Sequence, residues 1–559
     1  MENLLRRVFP FLAWWPMNGV QLRADLLAGL TVAMVLIPQS MAYAQLAGMP
    51  AYYGLYAAFL PVIIGALWGS SRQLQTGPVA VVALLTASAL APLAAPGSAD
   101  YIALAILLAL MVGVIQLTLG FLRMGEVVNL LSHPVILGFT NAAAIIIGLS
   151  QLNKLLGVSM ERSDRFLVDI LGVFQQIPDL HLPTLLFGVG ALALMIGMKR
   201  YTPRLPGVLI AVVLTTVISW LINFEERGDV VGHVPAGLPS LTVPEVTWRD
   251  ITSLLSIAIV IALVAFMEAI AIAKAMAAKT RARIDPNQEL IGQGLANLSS
   301  GFSQAFPVSG SFSRSAVNLN AGAVTGLAAV FTGLLVAVTL LFLTGLLYHL
   351  PQAVLAAVIM LAVVGLVNFS ALKHAWTTHR HDGVAALLTF VATLAFAPHL
   401  DIGILVGAAV AIILFLRRRM RPRTEILTQQ EDGVLVGMDT HNLQPMSQHF
   451  VPVRFDGALI FVNVSYFEDM VLHVLERFPE AKAILLIGSS INEIDVSGEE
   501  KLRELAQRLE KIGVTLYLSG LKHQVVEVLE RAHIHEVIPQ EHFFGSKSQA
   551  IQVLKERYG

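Results

Sequence analysis

As far as residue 416 the chain consists of long apolar runs separated by short polar turns, and beyond residue 424 it changes to short strand-like and helical patterns in alternation. The apolar runs fall near 25–46, 51–68, 77–93, 101–121, 127–150, 182–198, 206–223, 251–275, 287–303, 312–322, 323–347, 352–368, 384–398 and 402–416. Most have the roughly 17–25 residues that carry an α-helix across a hydrocarbon layer about 30 Å thick. The pattern predicts an all-α polytopic membrane domain of about fourteen spans. The runs at 77–93 and 287–322 are broken by Gly, Pro or polar residues and read poorly as simple spans. In the tail, strand patterns at 451–455, 458–464, 483–487 and 514–518 alternate with helical patterns at 466–478, 498–512, 524–532 and 549–557. That alternation predicts a small cytosolic α/β domain. The division is placed at 1–424 for the membrane domain and 425–559 for the tail.

Composition agrees with the pattern: 56% of the residues are hydrophobic and 13% charged, with a mean hydropathy of +0.71, more apolar than a soluble domain. The net charge of −1 gives no bias towards nucleic acid. Cysteine is absent, which excludes disulfides, thiolate metal sites and cysteine nucleophiles. His133, His349, His374, His379 and His381 are scattered near span ends, and no Gly-rich phosphate loop or nucleophile–base pair is visible. The expectation is therefore no enzyme, no bound metal and no cofactor beyond a coupling ion.

Charge gives the orientation. Arg72, Arg123, Lys199, Arg200, Arg204, Lys279, Arg281, Arg283, Lys373 and Arg380 fall on one side of the predicted spans, whereas the long loop 223–250 on the other side is net acidic. The last span ends in Arg417, Arg418, Arg419, Arg421 and Arg423. By the positive-inside rule both termini are cytosolic, in a multi-pass inner-membrane protein. Residues 1–23, with Arg6 and Arg7, read as a cytosolic lead-in and not as a cleaved signal.

Two segments resemble each other. Ile37-Pro38-Gln39-Ser40-Met41-Ala42-Tyr43-Ala44 aligns with Phe266-Met267-Glu268-Ala269-Ile270-Ala271-Ile272-Ala273, Gln39 matching Glu268. Each is followed by an interruption inside apolar sequence, Gln75-Thr76-Gly77-Pro78-Val79 and then Phe306-Pro307-Val308-Ser309-Gly310-Ser311-Phe312-Ser313-Arg314. Matching interruptions in both halves predict inverted repeats with broken helices and a binding site at mid-membrane. A helix that begins inside the membrane presents unpaired N–H groups and about half a positive charge. Arg314 adds a full charge, and Ser311 and Ser313 add hydroxyls, so the predicted ligand is a small anion. The alternatives are a plain helix kink and a snorkelling Arg314.

Glu268 is a carboxyl in the middle of an apolar run, where a charge costs about 2.5–3.5 kcal/mol on insertion scales. It is the predicted proton-coupling residue, the alternative being a structural partner for Arg314 or a serine. Gln39 and Tyr43, four residues apart, share a helix face and fit a site wall or an inter-helix hydrogen bond equally. Lys274 is assigned to the cytosolic end of its helix.

On these motifs, together with Pro50 to Tyr56 and Thr76-Gly77-Pro78, the chain resembles the sulfate permease family, also known as solute carrier family 26, over nearly its whole length. The resemblance implies a seven-plus-seven inverted repeat, with an anion held between helices 1, 3, 8 and 10 of a core that moves against a gate. It implies substrate-binding residues Gln39, Tyr43, Val79, Ser311, Ser313 and Arg314, proton coupling through Glu268, and a homodimer. The tail resembles a STAS domain, the fold of anti-sigma-factor antagonists. Asp495 or Ser497 is expected to cap a helix there, and Ser497 matches a serine that is phosphorylated in the antagonists, a possible point of contact with a cytosolic regulator. The expected function is proton-coupled secondary active transport of a sulfate-like anion, bicarbonate or a dicarboxylate, the alternative within the family being a Na⁺-coupled bicarbonate carrier. An uncoupled exchanger or channel, and a membrane-anchored sensor working through its tail, remain open.

Overall fold

The computed structural model describes residues 9–558 apart from 126–131, 161–164, 203–204, 243, 246 and 432. Arg6, Arg7, Arg204 and the first residues of the 127–150 run lie outside the described residues. The chain forms two compact units, Met1–Ala411 and Ile412–Gly559.

The first unit is helical. Its helices are α1 (Gly19–Leu46), α2 (Tyr52–Ala57), α3 (Leu60–Trp68), α4 (Ala80–Leu90), α5 (Ala99–Phe121), α6 (His133–Ser150), α7 (Leu152–Leu156), α8 (Phe166–Gln175), α9 (Leu182–Tyr201) and α10 (Gly207–Leu221). The second half contributes α11 (Trp248–Thr280), α12 (Pro286–Phe302), α13 (Phe312–Asn320), α14 (Leu327–Val338), α15 (Gln352–Val364), α16 (Phe369–Thr378), α17 (Arg380–Ala395) and α18 (Leu400–Met420). Among the described residues eight helical segments are long and apolar enough to cross a membrane, accompanied by shorter apolar ones at 52–68, 80–90, 166–175 and 207–221.

The runs at 77–93 and 312–322 do not span the membrane by themselves but are broken helices, as the matching interruptions predict. They are half-helices of 11 and 9 residues, only about 16 and 13 Å long at 1.5 Å per residue. Before each of them the backbone leaves the helix for a two-residue strand, β1 (Thr76–Gly77) and β2 (Ser309–Gly310). Helix α8 was not expected; its ten residues are too few to register as a span.

Local signals fix the long helices. Asn18 and Gln21 form a reciprocal capping box at the start of α1, and Thr247 with Asp250 does the same for α11. Asp285 caps α12 ahead of Pro286 at its first position. Around the broken helices α12 packs on α3 and α5, and α14 on α1 and α3. Gly54 of α2 lies so close to α1 that a Cβ would fall 1.9 Å from the Ser40 carbonyl oxygen, a place only glycine fits.

The second unit is a six-stranded mixed sheet of β3 (Arg423–Gln429), β4 (Leu435–Gly437), β5 (Phe450–Asp456), β6 (Ala483–Ile487), β7 (Thr515–Ser519) and β8 (Phe543–Phe544) in the order β4-β3-β5-β6-β7-β8. The pairs from β5 to β8 are parallel, and β3 runs antiparallel to both its neighbours. Helices α19 (Val464–Arg477), α20 (Val496–Lys511), α21 (His523–Arg531) and α22 (Lys547–Tyr558) complete it. Apolar clusters on Phe455, Phe467, Leu505 and Leu518, and on Phe450, Leu485, Tyr517 and Leu554, bury the sheet, as parallel strands require. The expected strand at 458–464 is absent: Leu459 makes one bridge to Ile494 and the chain turns into α19. Strands β3, β4 and β8 were not anticipated, being polar or very short.

Candidate functional site

The two interruptions meet. β1 and β2 pair antiparallel with Thr76 opposite Gly310 and Gly77 opposite Ser309. The ladder extends by one bond, the Ser311 amide donating to the Gln75 carbonyl at 2.9 Å, and the Gln75 amide donates to Ser315 Oγ at 2.9 Å. Gly77 has φ of +154°, a backbone state open to glycine at little cost.

From this crossing two half-helices depart. α4 follows Val79, which offers no side-chain cap, and Val79, Ala80 and Val81 are all buried. Its first N–H groups are therefore left without a side-chain acceptor. α13 follows Ser311, whose Oγ accepts the Arg314 amide at 3.4 Å, leaving the hydroxyl proton available to donate. The two short helices thus bring their partial positive ends to one place.

Arg314 is fully buried, and its Nε and both Nη atoms have no hydrogen-bond partner or ion pair among the described residues. The guanidinium lies over the Gly77 backbone, where an added Cβ would stand 3.4 Å from Nη2. Tyr43 and Gln39 are buried on α1, which packs on α4 and α13. A buried charge without a counter-charge costs several kcal/mol, so this arrangement favours an anion. Snorkelling of Arg314 is excluded by its burial.

Ser313 departs from the expected cluster. It is exposed, while Ser311 and Arg314 are buried. Successive residues of α13 turn about 100° apart, so the hydroxyls of Ser311 and Ser313 do not face one way.

Glu268 sits half-buried on α11, between two contacts with the crossing: the Ala265 carbonyl accepts Ser309 Oγ at 2.6 Å, and Ala269 packs on Gly310. Its carboxyl makes no hydrogen bond or ion pair among the described residues, so the alternative of a structural partner for Arg314 is not realised. Lys274 is exposed, off this face. In the second unit Asp495 is the cap of α20, accepting the Gly498 amide at 2.8 Å through Oδ1 and the Phe461 amide at 2.9 Å through Oδ2. Ser497 is half-buried and makes no cap.

Sequence reasoning passed over a polar stripe on α12. Glu289, Gln293 and Asn297 recur at i, i+4 and i+8, and all are buried. Glu289 accepts Ser70 N and Oγ at 2.8 Å each and Ser71 N at 3.0 Å. Gln293 Nε2 donates to Thr76 Oγ1 at 2.9 Å. Asn297 accepts the Val308 amide at 2.8 Å and donates to the Val308 carbonyl at 3.1 Å and to Gln116 Oε1 at 3.0 Å. One helix therefore holds the loop before β1, β1 itself and the approach to β2. The signal was available, as three large polar residues share one face of a helix. No group of three or more His, Asp or Glu residues with metal-binding geometry occurs among the described residues.

Comparison with known proteins bears on this geometry. The model of the sulfate permease family matches residues 22–389, and that of the STAS domain matches 445–550. The chain is 36% identical to Probable sulfate transporter 4.2 of Arabidopsis thaliana, over 95% of this chain and 81% of that protein. It is 34% identical to Probable sulfate transporter MT1781 of Mycobacterium tuberculosis, over 96% of both. The solved structure of the murine solute carrier 26 family member A9 anion transporter in the inward-facing state superposes with a TM-score of 0.92 at 24% identity, covering 100% of this chain and 95% of that one.

Proposed function

This chain belongs to the sulfate permease family, and from that premise we propose that it moves a sulfate-like anion across the membrane by proton-coupled secondary transport. It is a multi-pass membrane protein with a C-terminal STAS domain. The observation that carries the reading is the buried, unpartnered guanidinium of Arg314 beside the converging ends of α4 and α13. The anion lies at the β1–β2 crossing, held by the first N–H groups of α4 and α13, Ser311 Oγ and Arg314, with Val79 at the turn and Gln39 and Tyr43 forming the α1 wall. The names of the plant and mycobacterial relatives support sulfate as substrate.

Glu268 is the proton carrier in this reading. It stands one helical turn from the Ser309 contact and has no counter-charge. Protonated, it offsets part of the charge of the anion, which otherwise works against an inside-negative potential at about 2.3 kcal/mol per charge per 100 mV. Residues 1–424 form the transport domain, in the inner membrane with both termini cytosolic, working as a homodimer by alternating access. Residues 425–559 form the regulatory domain, with Ser497 as its modification point.

Uptake of labelled sulfate into proteoliposomes tests the reading. It is expected to accelerate when the outside is made acidic relative to the lumen, with no response to a Na⁺ gradient. Na⁺ dependence without a pH response overturns proton coupling, and current with no fixed stoichiometry indicates a channel.

A further inference from the structure

Gln75 is fully buried, and neither its Oε1 nor its Nε2 has a hydrogen-bond partner among the described residues. A buried primary amide with both ends unmatched is rare, because protein interiors satisfy nearly all such groups. The backbone of Gln75 is well held, its carbonyl by Ser311 and its amide by Ser315, so the side chain alone lacks partners.

Its direction follows from the strand. Gln75 directly precedes β1 (Thr76–Gly77) and extends its ladder through the Ser311 amide, so by the alternation of an extended chain its side chain falls on the face of Gly77 and Thr76 takes the other. Thr76 does point away, accepting Gln293 Nε2 at 2.9 Å. The Gly77 face is the one that Arg314 occupies, with Nη2 3.4 Å from the site of an added Cβ. The unmatched amide and the unmatched guanidinium therefore share one face of the crossing without bonding each other. Asn318, one turn beyond Arg314 on α13, adds a further buried unmatched atom, Oδ1, while its Nδ2 is spent on the Gln73 carbonyl at 3.1 Å.

We propose that Gln75 is a specificity-determining residue of the anion site, its Nε2 donating to an oxygen of an oxyanion held by Arg314. The proposal rests on the reading of the β1–β2 crossing as the anion site and goes beyond it in explaining discrimination. Helix ends and a guanidinium attract any small anion, since their pull is a matter of charge. A halide is a single centre that the helix ends can serve. A trigonal or tetrahedral oxyanion directs several acceptors outwards, and those turned away from the helix ends need donors on the walls. Gln75 supplies a directional one, so the site favours oxyanions over halides.

The test measures sulfate KM and chloride inhibition of sulfate uptake with full-length protein in proteoliposomes, for wild type, Gln75→Met, Gln75→Ala and Arg314→Gln. Gln75→Met keeps the volume and removes the amide. It is expected to raise the sulfate KM by about tenfold, as for a hydrogen bond to a charged group, with the chloride inhibition constant within about twofold of wild type on the same scale. Gln75→Ala carries the same expectation and replaces it if the Met variant does not reconstitute. An unchanged sulfate KM in the Gln75 variants, or equal weakening of sulfate and chloride, overturns the proposal while the anion site stands, provided Arg314→Gln weakens both anions. If Arg314→Gln leaves both anions at wild-type affinity, the anion-site reading falls and the role of Gln75 falls with it.

Discussion

In the proposed mechanism Arg314 and Glu268 carry the two charges of the site, and single substitutions separate their tasks. Glu268→Gln is expected to abolish the response of uptake to an imposed pH gradient while sulfate binding persists; an unchanged pH response removes Glu268 from the mechanism. Arg314→Gln is expected to raise the sulfate KM at least tenfold, about 1.4 kcal/mol, in a protein that still folds, because the buried charge it removes has no counter-charge to strand. Both residues were legible in the sequence, since a charge inside an apolar run costs too much to be accidental. Gln39 stood out through the repeat and Tyr43 through sharing its helix face, and both are buried on α1. Ser313 lies exposed, about 200° round the helix from Ser311, a difference in facing that helical spacing makes legible. Gln75 was quoted within a motif yet not singled out: lacking a partner is a property of the folded state that no residue type announces.

At the scale of elements, the half-helices form the proposed site and α12 holds them in place. Asn297 grips both the amide and the carbonyl of Val308, and Gln293 holds Thr76, so α12 fixes the separation of the two helix ends. Asn297→Leu leaves these backbone groups unmatched at about 1–3 kcal/mol each. It is expected to lower the melting temperature and raise the sulfate KM, while Leu254→Ala on the buried side of α11 lowers stability with KM retained. Equal KM effects from both contradict a positioning role for α12. In the second unit, Glu468 of α19 is held below the usual carboxylate range by hydrogen bonds from Lys501 and Arg508. A depressed carboxylate stabilises the fold above the unfolded value, about 4.3, and that contribution fades as pH falls through the folded value. Glu468→Gln is therefore expected to lower thermal stability at pH 7, by a difference that shrinks as pH falls below about 4; a constant difference contradicts the assignment. The long helices were legible from hydropathy and caps. The half-helices were legible from the matching interruptions at Gly77-Pro78 and Ser309-Gly310, although apolar composition by itself counts them among the spans. Strands β3, β4 and β8 escaped notice, being too polar or too short for a period of two to show.

For the molecule as a whole, two chemically different units were evident from the change of pattern near residue 424, and the structure divides the chain between Ala411 and Ile412. The family was legible because several motifs recur in order along the chain; the paired ladder between halves more than 200 residues apart was not, since pairing of β1 with β2 is a tertiary fact. Removing residues 425–559 is expected to leave sulfate uptake measurable with an altered rate; loss of uptake from a truncated protein that remains folded contradicts a purely regulatory tail. The central claim is that the anion sits where the two half-helices meet. Selenate, a sulfate analogue with an anomalous scatterer, locates it directly in a solved structure of the full chain. The account predicts one selenium peak within hydrogen-bond reach of the first amides of α4 and α13 and beside Arg314. A peak elsewhere in the membrane unit, with the crossing empty at saturating selenate, contradicts it.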